Sequence, residues 1–140
     1  MAKYLFTDGY VLVNSVDLSD HAFSMDTPES HEQVDVSGFS ATGTKEFLAG
    51  QTTQEITIGF LQDFASAKVH ATLQPLFTNR TQFLITVKPT SSGVSSTNPT
   101  FSGTVQLNQY NGLSGQLNAR GEMTVTFTAA TTDGLTWATA

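Results

Sequence analysis

No cysteine occurs among the 140 residues of this chain. Disulfides, thiolate nucleophiles and cysteine-ligated zinc are therefore excluded, and stability has to come from packing, hydrogen bonds or oligomerisation. Charge is scarce as well. Only 13% of residues are charged, against about 25% in an ordinary globular domain. Six basic residues face twelve acidic ones, for a net charge of -6, and that balance argues against tight nucleic-acid binding, which needs clustered Lys and Arg to displace counterions. No apolar run approaches the ~20 residues that span a bilayer. The stretch Tyr4-Leu5-Phe6 after Lys3 is too short for a signal-peptide apolar region, so the sequence reads as a soluble protein made in the cytosol.

Motifs of catalysis are missing too. There is no phosphate-binding G-x-x-x-x-G-K-[ST] and no dinucleotide-binding G-x-G-x-x-G. Gly112-Leu113-Ser114-Gly115 and Gly38-Phe39-Ser40 only approach a nucleophile elbow, and the strands near them do not lead into a helix. His31 with Glu29 and Glu32 is the nearest thing to a metal cluster. It lacks convergent ligands on one helical face and reads as a solvated turn. Glu55 and Glu122 could pair as carboxylates only if folding brought them together; solvated surface acids are the plainer reading. Asn79-Arg80-Thr81 fits a glycosylation sequon, which without a secretion signal is coincidental. The sequence points to no enzyme, no cofactor and no metal.

What the chain does have is hydroxyl. Thr and Ser supply 35 of 140 residues. A surface hydrated by hydroxyls suits either a Thr-rich β protein or one whose surface is covered in an assembly, because interface cores are depleted in Lys, Glu and Asp. Hydrophobic residues at 39% exclude a disordered chain, and the length suits one domain over 1–140.

Four segments alternate with period two, the mark of a half-buried strand. Their apolar sides are Ile56, Ile58 and Phe60; Phe83, Ile85 and Val87; Phe101, Val105 and Leu107; and Met123, Val125, Phe127 and Ala129. Their opposite sides carry Glu55, Thr57 and Gly59; Gln82 and Thr86; Ser102, Thr104 and Gln106; and Glu122, Thr124, Thr126 and Thr128, with Leu61 and Leu84 breaking the pattern. Thr is β-branched and fits a pleated surface while staying wet. Shorter strands are expected at 10–13 and 16–18 around a tight Asn14-Ser15 turn, at 22–26 with Phe23 and Met25 on one side, and at 33–37.

One helix is expected over about 64–75. Asp63 can cap it, and Val69, Leu73, Leu76 and Phe77 share one face. Pro75 should end or bend it. Two stretches read as long loops, 38–53 and 89–100. The first embeds Phe39, Phe47 and Leu48 among small polar residues, and apolar residues in a wet loop suggest docking.

The order and spacing of these segments resemble the major tail (tail tube) proteins of long-tailed bacteriophages. The resemblance is carried by the run from Val11 to Asp20, by Glu32-Gln33-Val34-Asp35-Val36, and by Ile56–Phe60 followed by Gln62-Asp63-Phe64-Ala65. It continues through Ala71-Thr72-Leu73-Gln74-Pro75-Leu76-Phe77, the strand end at 86–89, Ser96-Thr97-Asn98-Pro99 and Val125-Thr126-Phe127, and so spans roughly residues 10 to 130. It implies a mainly-β, sandwich- or barrel-like domain with one flanking helix. It implies a structural virion protein made in the host cytoplasm, whose hexameric rings stack into a tail tube for DNA ejection. Its partners would be copies of itself and the tape measure, distal tail and tail terminator proteins; DNA would pass without specific binding, and no membrane is involved.

On that resemblance the loop 38–53 would make contacts between rings through Phe39, Lys45, Phe47 and Leu48, and the ends 1–9 and 130–140 would be arms. Glu55, Thr57, Thr104, Glu122, Thr124 and Thr126 are candidates to line the lumen; outer solvent is the alternative for that face. The competing readings are a distal tail, connector or capsid-decorating protein, or a carbohydrate-binding β-sandwich that would stack sugars on Tyr10 or Tyr110. A small hydrolase is disfavoured by the missing motifs.

Overall fold

The computed structural model describes residues 5–39 and 42–139. Strands dominate it. In chain order they are β1 (Tyr10–Val13), β2 (Val16–Asp17), β3 (Ala22–Asp26), β4 (Glu29–Asp35), β5 (Phe47–Leu61), β6 (Phe83–Lys88), β7 (Thr100–Gln109), β8 (Glu122–Ala129) and β9 (Leu135–Ala138). A 3-10 turn spans Ser19–His21, and the helix α1 runs Val69–Thr78.

All pairings are antiparallel, and the strand order is β2-β1-β6-β7-β8-β5-β3, with β4 also on β5 and β9 also on β7. β2 and β3 end the sheet on opposite sides, yet only four residues separate Asp17 from Ala22. The sheet must therefore curl until its two edges approach, which gives a half-barrel, the barrel-like mainly-β fold with one helix that the sequence implies.

The alternating apolar residues all turn to the inside of that curl. Ile56, Ile58, Phe60, Phe83, Ile85, Val87, Phe101, Val105, Leu107, Met123, Val125 and Phe127 are buried together with Val11, Val13 and Leu18. Val69, Leu73 and Leu76 bring α1 onto the same cluster. At the turn between β1 and β2, Asn14 and Ser15 both have positive φ, 47° and 69°, the geometry that joins twisted strands by two residues.

Several expectations need adjustment. The helix begins at Val69, not near 64, because Asp63 Oδ1 accepts from the Ala65 backbone N–H in a local turn and Ala67 has φ +62°; the N-cap is Lys68, with no side-chain bond. Pro75 lies inside the helix, which continues to Thr78 because Leu76 is anchored in the core. Phe77 is half-exposed instead of joining that face. Phe23 does not share a side with Met25: a bulge between Ala22 and Ser24 turns it over Gly59 on the opposite face. His31 lies on a strand, where its Nδ1 bonds Thr52 Oγ1, so it does not occupy a solvated turn.

Two long loops are also more ordered than expected. Within 38–53, residues 47–53 belong to β5 and pair with β4. The 89–99 segment is organised by buried Asn98, whose Nδ2 donates to the carbonyls of Ser92 and Gly93 and whose Oδ1 accepts from Thr90 N. At the C-terminus, β9 is annealed to β7, and the Gln54 side-chain amide both donates to and accepts from the Leu135 backbone. Residues 135–138 are thereby part of the sheet. At the other end, Met1–Tyr4 lie outside the described residues, while Asp8 accepts from Ser91 N and Oγ.

Candidate assembly surfaces

Two surfaces stand out. The first is a projecting hairpin. β3 and β4 run in succession along the same edge of β5, interrupted at Pro28, which has no N–H to donate. Beyond Gln54, β5 leaves the curled sheet and pairs with β4 alone, and every residue of Glu29–Asp35 and Phe47–Thr53 is exposed. Yet this ribbon is not uniformly polar. Val34 and Leu48 face each other across the strands, 46% and 59% exposed, and Val36, Phe39 and Phe47 are also open to solvent. A bare two-stranded hairpin is marginal in water, and contiguous exposed apolar surface marks an interaction site. Phe39, Lys45, Phe47 and Leu48 thus fall on one arm; Ser40 and Ala41 lie outside the described residues.

The second is a threonine face. Register places Thr57 opposite Thr126, Gly59 opposite Thr124, Leu61 opposite Glu122 and Glu55 opposite Thr128. Gln106 lies beside Thr128 and Thr104 beside Leu84. All six residues singled out as lumen candidates therefore share the outer face of the curl, across β7, β8 and β5. Oγ1 of Thr57 and Thr126 are 3.4 Å apart, and Asn108 Nδ2 donates to Thr128 Oγ1 at 2.9 Å. Glu55 and Glu122 sit at opposite ends of the β5–β8 pair, six residues of strand apart, or about 20 Å, so they form no carboxylate pair. Glu122 instead accepts from Arg120 at 2.7 Å. Leu84, Leu61 and the Phe23 ring over Gly59 are the apolar side chains on this face, with Leu84 and Phe23 exposed. Gly59 is bare because a Cβ there would come within 2.8 Å of the Phe23 ring.

Elsewhere the polar groups build structure. His21, missed in the sequence, bridges Asp20 Oδ1 through Nδ1 and Asp63 Oδ2 through Nε2, both at 2.7 Å. The bond to Asp20, with the one to Asp63 added and partial burial opposing, raises the His21 pKa above its ordinary value. Asp63 is held below its ordinary value by the Ala65 backbone N–H and then by His21. This bridge ties the turn between the two sheet edges to the segment before α1. Only its long range in sequence, 42 residues, hid it. Tyr10 lies under the Lys88 ammonium and Tyr110 bonds His70 Nδ1, so both tyrosines offered for sugar stacking are engaged within the chain. No cluster of three or more metal-ligating side chains occurs among the described residues, and no helix among them is long and apolar enough to cross a membrane.

No protein-family model and no curated protein matches the chain. Solved structures do. A chain in the virion of a native gene transfer agent particle is similar over 94% of this chain and 95% of its own length, with a TM-score of 0.73 at 16% identity. A chain in the tail of an empty gene transfer agent particle, determined by helical refinement with C6 symmetry, is similar over 84% of this chain and 82% of its own, with a TM-score of 0.66 at 18% identity. The likeness is one of fold, and it runs nearly end to end.

Proposed function

We propose that this chain is a structural subunit of a phage-like tail, the building block of a tube of stacked, six-membered rings through which DNA leaves a virion. The observation that carries the reading is the end-to-end fold likeness to chains of a gene transfer agent virion and of a tail with C6 symmetry. The surfaces are consistent with it. A hairpin whose exposed apolar residues no described residue covers suits contact between rings, and open edges at β2 and β3 suit sheets that continue into neighbouring subunits. The Thr face would line the lumen. DNA must slide there without being held, and hydroxyls with Glu55 and Glu122 offer phosphate few cations: Arg120, which Glu122 already engages, and, on the same side of β6, Lys88, whose ammonium lies over the Tyr10 ring and donates to the Ser92 carbonyl.

Electron microscopy of the purified chain is the direct test. Stacked rings or tubes support the proposal; a concentrated sample that stays monomeric, or forms only isolated rings as a connector or distal tail protein would, refutes it. For the lumen, Thr57→Lys with Thr126→Lys should slow DNA delivery and lower infectivity while tubes still form. Unchanged delivery would place that face on the outside.

A further inference from the structure

Among the described residues nothing covers the hairpin, whose strands Glu29–Asp35 and 47–53 are exposed throughout. β7 runs in the same direction as β5, since each is antiparallel to β8. Leu107, near the end of β7, is in register through Phe127 with Ile56, nine residues along β5 from Phe47. At strand rise that is about 30 Å from the base of the hairpin tip. At this far end lies a groove of about 520 Å³ between the end of α1 and β7, lined by Phe77, Thr78, Arg80, Gln106, Leu107 and Asn108. Phe77 gives it an apolar wall that is 39% exposed. Arg80 gives it a cation, and the Arg80 side chain makes no hydrogen bond or ion pair among the described residues. The hairpin is acidic, with Glu29, Glu32, Asp35 and Glu46 against Lys45. Apolar tip and apolar wall, acidic arm and free arginine are complementary, and they lie about 30 Å apart along the strand direction of one subunit.

We infer that the hairpin of one copy docks in the α1–β7 groove of a second copy, with Arg80 facing Asp35 and Glu46 of the incoming arm. The contact is heterologous, joining two different patches, so unlike a two-fold contact it is of the type whose repetition can build an open stack. This rests on the tube reading above and names the receiving surface for its stacking contact.

Because the chain has no cysteine, two exposed substitutions report the contact. Thr44→Cys lies on the hairpin and Thr78→Cys in the groove. Mixed and oxidised, the two single variants should give a cross-linked dimer, and a chain carrying both should give a ladder. Arg80→Glu should reduce stacking about tenfold or more, as expected for loss of a close charge pair, and Glu46→Arg added to it should restore part of that loss. Tubes of the wild-type chain that show neither cross-link nor sensitivity at Arg80 overturn the groove and leave the tube reading standing. A wild-type chain that never stacks overturns both.

Discussion

Two phenylalanines on one chain should fail in opposite ways. Phe127 is fully buried and meets Phe83 edge-on, with ring centroids 5.8 Å apart at 84°; its neighbours in the ladder are Ile56 and Leu107. Phe127→Ala should therefore cost about 3–5 kcal/mol, of which the aromatic pair accounts for about 0.5–1.5 kcal/mol. A chain of this length has roughly 7–15 kcal/mol of stability in all, and with an unfolding entropy of about 0.3 kcal/mol/K the melting temperature should fall by about 10–17 °C. Phe39 makes no such contacts: it is fully exposed. Phe39→Ser should leave the monomer within about 0.5 kcal/mol of wild type while lowering assembly into tubes. Urea unfolding followed by circular dichroism gives the first quantity, and electron microscopy at matched concentration gives the second. If Phe39→Ser destabilises the monomer as Phe127→Ala does, the hairpin tip packs on its own domain, and the case for an uncovered arm collapses.

Three further expectations follow from single contacts. Ser15→Gly should stabilise the fold by about 0.5–1 kcal/mol, because Ser15 sits at φ 69°, where a Cβ is penalised more than glycine's extra freedom; a lower urea midpoint would contradict the turn geometry. The His21 bridge makes stability depend on pH with a definite sign. Its raised pKa means the contribution is full below the unfolded value of 6.5 and is lost as pH rises through the folded value; the lowered Asp20 and Asp63 values mean it is also lost as pH falls below about their ordinary 3.8. His21→Asn should flatten the alkaline decline, and identical pH profiles would remove the bridge from the account. Gln54→Ala should cost about 1–3 kcal/mol by leaving the Leu135 backbone unpaired. The lone Trp137, stacked on Phe101 at 4.5 Å, should report the loosening of β9 by a red-shifted emission; an unshifted spectrum would show that β9 holds without Gln54.

The sheet was legible because burial wrote it into the sequence. Where one face packs on a core, alternation at every second residue is visible, and the segments read as strands at 54–62, 81–88, 101–108 and 121–129 fall on β5 (Phe47–Leu61), β6 (Phe83–Lys88), β7 (Thr100–Gln109) and β8 (Glu122–Ala129). The faces of the lumen candidates were legible for the same reason, although their neighbours were not, since register is a relation between strands. Phe23 shows the limit: one extra residue in a bulge inverts a face, and nothing local announces it. Asp63 shows another, because a good capping residue serves a turn just as well.

The stretch that sequence reading took for a loop failed differently. Phe47-Leu48-Ala49-Gly50-Gln51-Thr52-Thr53 is strand without alternation, and so is Glu29-Ser30-His31-Glu32. Among the described residues neither side of that ribbon packs on the core, so no burial there imposes period two. The apolar residues it keeps, Val34, Val36, Phe39, Phe47 and Leu48, follow some other demand. A free monomer has no use for them, since exposed apolar side chains on an unpaired edge invite aggregation. Their presence is intelligible if the surface they meet belongs to another copy. The same absence of periodicity that hid the hairpin is therefore what the proposed docking would explain: a pattern that its own subunit does not impose is the one expected of a surface read by a second copy.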